Sequence, residues 1–381
     1  MKVAAVIFEG GATPPLLPLG VPARARDSDG SLVAQMSRVR AAVVLDNLEK
    51  LLANQHIEKV ILATNLAGLA REARALGAVV DLQGPAEPYQ FGRRLAKVIE
   101  THRLDAVLYL GGAAAPLLGQ PEIDWVAEAV LTAPGRVVVN NPQSADLVGF
   151  YPASALGCVE PPDSDNVLGY LLRKAGLERV LTPNTPRLNF DLDTPTDMLV
   201  LRRSTEVGPR SRQALDSLGW DTGRLERAMR VLRRPEAEIA IVGRVGPSLA
   251  VLMNQHLSLR LRIFSEERGM KGMGRVARGE VVSLLGFFLD EVGPERFFAY
   301  LAQVCQAAFF DTRVAFAHRG RKVSEGDRFY ADLGCPERIT DPMVRRFTEA
   351  ALASPMPVVL GGHSLVSGGL RLLVEELISQ K

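Results

Sequence analysis

Short apolar runs rich in β-branched residues alternate with longer helical stretches over the first 140 residues, and this alternation constrains the fold most. Each run is too short for a buried helix, and several end in glycine or asparagine. The predicted strands are residues 3–8, 60–65, 78–82, 106–110 and 136–139. The segments between these strands have helical periodicity. The first of them, residues 39–54, follows a long loop after the first strand. The pattern predicts an α/β fold with a mostly parallel, doubly wound sheet.

The same alternation resumes in the second half of the chain. A single hydrophobic core rarely grows beyond about 250–300 residues, so a chain of 381 residues predicts two domains. An arginine-rich stretch separates the two series of strands. We therefore predict a first domain over residues 1–205, a basic helical linker over residues 206–236, and a second, smaller α/β domain over residues 237–381.

Composition narrows the classes of partner. A net charge of +2 gives no general case for a nucleic-acid or membrane partner, and no apolar run reaches the roughly 20 residues that span a bilayer. Three widely spaced cysteines form no metal pattern and indicate a reducing compartment. We expect a cytoplasmic protein, and the sequence leaves its oligomeric state open. The linker arginines indicate a solvated basic face. The alternative is a nucleic-acid-binding patch, which the lack of interleaved aromatic residues other than Trp220 disfavours.

The strongest chemical signal is the segment Asn-Phe-Asp-Leu-Asp-Thr-Pro-Thr-Asp that ends at Asp197. Asp191 and Asp193 lie two residues apart on an extended stretch, so their carboxylates point to the same side. Thr194 is a typical helix N-cap, and Pro195 fits the first helical position. Paired carboxylates beside a capped helix could hold Mg²⁺ over a phosphate. The alternative is that they are only cap and turn residues.

With these elements, residues 1–205 resemble nucleotidyltransferases of the glycosyltransferase-A-type nucleotide-diphospho-sugar fold. Relatives of this kind include molybdenum-cofactor guanylyltransferase-like, cytidylyltransferase and phospholactate guanylyltransferase-like proteins. The resemblance rests on the strand-then-glycine pattern, on residues 57–65 and 105–112, and above all on the Asp-x-Asp-Thr-Pro-x-Asp segment. It implies transfer of a nucleotidyl group from an NTP to a phosphorylated or carboxylated small molecule, with catalytic Mg²⁺ at Asp191 and Asp193. The nucleotide contacts that it implies are Gly10, Gly11, Arg24, Arg26, Gly111 and Gly112.

The chain departs from the family pattern at two places. The arginine of the first glycine-rich loop and the Pro-Lys beyond it are replaced by Ala-Thr-Pro-Pro-Leu-Leu at residues 12–17. The aspartate that family members carry at the end of the central strand is also absent, because Gly111-Gly112 is followed by Ala113. Loss of a carboxylate ligand weakens a Mg²⁺ site. The alternative function is therefore a catalytically degenerate protein that binds or senses a nucleotide or phospholigand.

The four strands predicted in the second half all end in polar or glycine-rich sequence, which indicates a ligand-binding edge. The loop at residues 361–369 offers backbone N–H groups and two hydroxyls at the start of a helix, an arrangement suited to anions. We predict an anion or phosphate site there that consists of Arg268, Lys271, Arg313, His363, Ser364 and Ser367. The alternative is that the glycines only permit a tight turn. A phosphoryl enzyme that uses Asp311 is a third functional hypothesis.

Overall fold

The structure, a computed structural model, describes residues 2–10, 31–84 and 89–380. The chain forms two compact units. One comprises Met1–Asn189 and Glu206–Leu218, and the other comprises Phe190–Thr205 and Gly219–Lys381. This division differs from the predicted domain boundaries in two respects. Residues 190–205 group with the second unit, and the stretch predicted as one linker is shared between the two units.

Eleven strands and fifteen α-helices are assigned among the described residues. The strands are β1 (Val3–Glu9), β2 (Ile57–Thr64), β3 (Val79–Leu82), β4 (Val107–Gly111), β5 (Arg136–Val139), β6 (Leu147–Tyr151), β7 (Glu178–Leu181), β8 (Glu238–Gly243), β9 (Arg260–Ser265), β10 (Ala307–Asp311) and β11 (Val358–Gly361). The helices are α1 (Leu32–Leu52), α2 (Ala67–Ala75), α3 (Phe91–His102), α4 (Gln120–Leu131), α5 (Leu168–Lys174), α6 (Pro186–Asn189), α7 (Pro195–Leu201), α8 (Pro209–Asp216), α9 (Gly223–Leu232), α10 (Pro247–His256), α11 (Leu284–Val304), α12 (Thr312–Ala317), α13 (Glu325–Leu333), α14 (Pro342–Ala353) and α15 (Leu370–Ser379).

The first unit contains a seven-stranded sheet in the order β3-β2-β1-β4-β6-β5-β7. Its pairs are parallel except those of β6, which runs antiparallel to β4 and β5. Every residue of β1 is buried, and alternate side chains enter two different hydrophobic clusters. A strand with two buried faces is expected to be apolar, as this one is from Val3 to Phe8. The predicted α/β fold with a mostly parallel sheet is confirmed.

Strands β6 and β7 were not predicted from the sequence, and α1 begins earlier than predicted. No strand was predicted at β6, because a five-residue apolar run interrupted by Gly149 shows no clear period. Helix α1 begins at Leu32, not at the predicted residue 39, because the hydroxyl of Ser31 accepts a hydrogen bond from the N–H of Ala34 at 3.1 Å and caps the helix.

The second unit contains a four-stranded parallel sheet in the order β11-β10-β8-β9. Its core includes three phenylalanines that pack edge to face. The ring centroid of Phe347 lies 5.1 Å from that of Phe298 and 5.6 Å from that of Phe310. Helix α11 is broken at Gly293, which has a φ of 75° and is followed by Pro294.

Helix α8 is held in the first unit by a buried carboxylate on α1. Asp46 is 2% exposed, and its Oδ2 accepts hydrogen bonds from the N–H and the hydroxyl of Ser211 at 2.8 and 2.6 Å. A Cβ on Gly208 would lie only 2.3 Å from this oxygen. The carboxylate thus satisfies free N–H groups at the first turn of α8, where negative charge is favourable.

We predict that Asp46→Asn destabilises the first unit by about 2 kcal/mol, because the amide replaces a charged acceptor of buried hydrogen bonds. The chain has two tryptophans, and in a Trp220→Phe background the remaining Trp125 reports on the first unit alone. Urea unfolding followed by Trp125 fluorescence measures the effect.

The control is Glu49→Gln, which removes another carboxylate of α1. The Glu49 side chain is 55% exposed and pairs with Arg210 of α8. Exposed ion pairs contribute less than about 1 kcal/mol, so this variant should stay close to the parent protein. Equal unfolding midpoints for Asp46→Asn and Glu49→Gln would contradict the anchoring role of Asp46.

Candidate functional site

The strand order reverses between β1 and β4 in the first unit, so the connections leave these neighbouring strands in opposite directions. In open α/β sheets, ligands bind outside the carboxyl ends of strands at such a switch point. Gly10 follows β1, and Gly111 and Gly112 lie at the end of β4. Three of the predicted nucleotide contacts therefore lie at this edge. The other three, Gly11, Arg24 and Arg26, lie outside the described residues.

Glu9 at the end of β1 is 5% exposed and forms a paired contact with Arg40. The Arg40 Nε donates to Oε1 at 3.1 Å, and Nη2 donates to Oε2 at 2.9 Å. A Cβ on Gly112 would lie 1.7 Å from Glu9 Oε2. Packing of the ion pair therefore accounts for glycine at position 112, which the sequence analysis assigned to nucleotide binding.

Asp165 supplies a carboxylate near the end of β4, where the sequence analysis expected none. Its Oδ2 accepts the Tyr109 hydroxyl at 2.9 Å and lies 3.4 Å from the position of a Cβ on Gly111. Burial, together with the charge of Asp165, raises the pKa of Tyr109 well above its usual value, so the hydroxyl stays a donor. No local motif marks Asp165, because it comes from a turn far along the chain.

The second unit has its own switch point, between β8 and β10. Asp311 ends β10 and is fully buried. The Arg244 Nε donates to its Oδ2 at 2.6 Å, and Nη2 donates to Oδ1 at 3.1 Å. Burial raises the pKa of Asp311. The charge and hydrogen bonds of Arg244, together with further positive charge nearby such as Arg313, outweigh burial, so the net pKa lies below the usual value. Gly243 leaves room for this carboxylate, since its Cβ would lie 2.4 Å from that of Asp311.

A second buried pair lies next to the first. Arg313 Nη1 and Nη2 donate to the two carboxylate oxygens of Asp332 at 2.7 and 2.6 Å, and Nη1 also approaches the Gly361 carbonyl oxygen at 3.3 Å. Arg313 was predicted to bind an anion, and the structure shows its guanidinium engaged with protein oxygens. The sequence did not identify Asp332 as a site residue. Its role depends on Arg313, which lies on a different element, and no local motif marks that contact.

The predicted cap at the start of α7 is confirmed. Thr194 is the N-cap, and Asp197 Oδ2 accepts hydrogen bonds from the N–H and hydroxyl of Thr194, each at 2.8 Å. Burial and the Asp193 charge raise the pKa of Asp197 well above its usual value. The Thr196 hydroxyl donates to the carbonyl oxygen of Leu360 at 2.7 Å, which joins this segment to β11 of the second unit.

Asp191 and Asp193 accordingly belong to the second unit. The Ser364 hydroxyl donates to the Asp191 carbonyl oxygen at 2.6 Å, and Asp191 Oδ1 accepts the N–H of Leu192 at 2.8 Å, while Asp193 is exposed. Within residues 2–10, 31–84 and 89–380, no three histidine, cysteine, aspartate or glutamate side chains are grouped as metal ligands. Mg²⁺ at Asp191 and Asp193 stays a prediction.

The remaining predicted anion ligands differ in their availability. Ser364 is bound to the Asp191 backbone, and the Ser367 hydroxyl donates to the carbonyl oxygen of His363 at 2.8 Å. Lys271 is exposed. Arg268 is half-buried, with Nη2 3.9 Å from the position of a Cβ on Gly246, the N-cap of α10. The serines thus support the turn, whereas Arg268 lies beside an uncapped helix N-terminus.

His363 contributes an uncharged imidazole to this edge. Burial, followed by the Arg244 charge, lowers its pKa to about 4, and its buried Nδ1 has no hydrogen-bond partner among the described residues. The imidazole is therefore neutral at pH 7.

Comparisons with known proteins add a limited structural likeness. A cytidylyltransferase from Leptospira borgpetersenii serovar Hardjo-bovis is 17% identical over 57% of this chain and 93% of its own, with a TM-score of 0.39. A 4-diphosphocytidyl-2C-methyl-D-erythritol synthase is 16% identical over 53% of this chain and 96% of its own, with a TM-score of 0.36. A CMP:2-keto-3-deoxy-manno-octonic acid synthetase complexed with CTP is 17% identical over 53% of this chain and 97% of its own, with a TM-score of 0.31.

TM-scores of 0.31–0.39 and identities of 16–17% carry no argument about activity. No protein-family model and no curated protein matches the chain.

Among the helices that the structure describes, none has the length and apolar content needed to cross a bilayer.

We predict that the lowered pKa of His363 costs stability in acid. The unfolded histidine binds a proton below about pH 6.5 and the folded one only below about 4, so stability falls as pH decreases between these values. Between pH 7 and pH 5 the loss from this residue should be about 2 kcal/mol. Urea unfolding of a Trp125→Phe background, followed by Trp220 fluorescence, measures it.

His363→Gln should remove this part of the pH dependence, whereas His256→Gln, at an exposed site in the same unit, should retain it. Burial also lowers the pKa of His318, but that contribution is common to all three proteins. An identical loss between pH 7 and pH 5 in wild type and His363→Gln would show that the prediction is wrong.

Proposed function

We propose that the chain is a nucleotidyltransferase-like protein whose first unit binds a nucleoside triphosphate at the carboxyl ends of β1 and β4. The observation that carries the proposal is the reversal of strand order between these two strands. A switch point of this kind is where open α/β sheets bind their ligands. The resemblance of residues 1–205 to nucleotidyltransferases gives the class of ligand.

Gly10 supports this position because no contact among the described residues requires a glycine there. It is exposed, it does not have a positive φ, and a Cβ would contact Asn65 Oδ1 at 3.4 Å, an ordinary distance. Glycine also occurs where a ligand must approach the backbone closely. Gly112 differs, since Glu9 fills the space that its side chain would need.

The proposed reaction is transfer of a nucleotidyl group to a phosphorylated or carboxylated small molecule. An acceptor oxygen attacks the α-phosphorus, the bond between this phosphorus and the bridging oxygen breaks, and pyrophosphate leaves. Positioning and stabilisation of the developing charge by backbone N–H groups are the contributions expected of such a site.

We predict that Gly10→Val weakens NTP binding at least tenfold, because a branched side chain would occupy the space next to the end of β1. Isothermal titration calorimetry with each NTP, with and without Mg²⁺, measures binding, and pyrophosphate release measures turnover. Gly68→Val is the matched control, since Gly68 is exposed on α2 and nothing lies within 4 Å of its Cβ position.

The proposal requires that wild-type protein binds at least one NTP. Absence of binding to all four would overturn it, as would equal affinities for Gly10→Val and Gly68→Val. Binding without pyrophosphate release in the presence of phosphorylated and carboxylated acceptors would favour a nucleotide-binding protein that lacks transferase activity.

The second candidate function is a phospholigand-binding protein whose site lies in the second unit. It is favoured by the grouping of Asp191 and Asp193 with that unit and by the position of Arg268 beside the N-terminus of α10. Within the described part of the chain, Arg268 forms no ion pair with a carboxylate. An unpaired guanidinium beside free N–H groups is suited to a phosphate.

For this second candidate we predict that Arg268→Gln lowers the affinity for inorganic phosphate at least fivefold, because it removes a charged donor from the anion. Arg260→Gln, which removes an exposed arginine of β9 in the same unit, should leave this affinity unchanged. Calorimetric titration with phosphate measures both. The same affinity in both variants would exclude Arg268 as a phosphate ligand.

A further inference from the structure

A groove of about 490 Å³ lies in the second unit, away from the edge that carries Asp311. Gln306 and Pro357, which immediately precede β10 and β11, line it, so it opens at the amino ends of these strands. Asp311 lies at the carboxyl end of β10. The groove is therefore distinct from the switch-point site of the same unit.

Three arginines line one wall of the groove: Arg227 and Arg230 of α9, and Arg234, which follows the end of that helix. All three are exposed, and no carboxylate in the described residues pairs with them. The opposite face of α9 is apolar and buried, with Leu225 and Met229 in the interior. The helix is thus fixed by its buried face and presents Arg227 and Arg230 on the other.

The positions of two of the arginines follow from helix geometry. A spacing of three residues places Arg227 and Arg230 on one face of α9, and a rise of about 1.5 Å per residue separates their Cα atoms by about 4.5 Å along the axis. No aspartate or glutamate lines the groove, whereas the apolar Val231, Ala302 and Met356 do. Three uncompensated positive charges beside an apolar surface favour a ligand with several anionic groups and an organic part.

We propose that this groove binds a small organic polyphosphate. The volume of the groove lies within the range of about 300–1,000 Å³ that is usual for small-molecule sites. A guanidinium can donate two hydrogen bonds to one phosphate, so three in a row match a chain of phosphates. The lining contains no aromatic side chain on which a base could stack, which favours a small ligand over single-stranded nucleic acid.

The test is calorimetric titration of the full chain with sodium tripolyphosphate and with an NTP. We compare wild type with Arg227→Gln/Arg230→Gln. The matched control is Arg71→Gln/Arg74→Gln, which removes two exposed arginines at the same spacing from α2 of the first unit. Both double variants change the net charge equally, and neither alters a buried residue.

We expect the α9 double variant to bind tripolyphosphate at least tenfold more weakly than wild type, and the α2 control to bind it as wild type does. The Gly10→Val variant should lose NTP binding in the first unit and retain tripolyphosphate binding in the groove. Tripolyphosphate binding therefore tests the groove, and the NTP binding that Gly10→Val removes tests the proposed nucleotide site, so the failure of one proposal can be told from the failure of the other.

Equal tripolyphosphate affinities in the α9 and α2 variants would overturn the proposal. Preferential binding of a single-stranded oligonucleotide, lost in the α9 variant while tripolyphosphate does not bind wild type, would also overturn it and identify a nucleic-acid surface instead.

Discussion

A buried carboxylate bound by an arginine lies at the switch point of each unit, and the neighbouring chain is arranged to accommodate it. Glu9 accepts two hydrogen bonds from Arg40 in the first unit, and Asp311 accepts two from Arg244 in the second. A buried charge without a partner would cost several kcal/mol, so each carboxylate fixes the position of its arginine. Both pairs lie at the strand ends where loops diverge, and they give these loops a rigid base.

The same interaction explains two glycines that suggest ligand binding in the sequence. A side chain at Gly112 would meet Glu9, and one at Gly243 would meet Asp311. Sequence alone cannot separate such glycines from those that admit a ligand, because the group that needs the space lies on a neighbouring strand. The distinction becomes visible only in the structure, where no close contact among the described residues requires a glycine at position 10.

The sequence predicted the alternation of strands and helices and the cap at Thr194, because local pattern and backbone preference determine these features. It did not predict the unit to which Asp191 belongs, since the contact with Ser364 joins residues 173 positions apart. Asp165 was missed for the same reason: its partner Tyr109 is 56 positions away. Local sequence determines elements, whereas the site depends on which elements pack together.

The charged residues of the second unit fall into two groups with different consequences for binding. Arg244 and Arg313 each donate to a buried carboxylate, so a ligand could recruit them only by displacing that partner and leaving its charge unpaired. Arg227 and Arg230 are exposed, and no described carboxylate must be displaced before they contact an anion. Ligand recognition should therefore depend on the unpaired arginines, while the buried pairs hold the surrounding strands and helices in place.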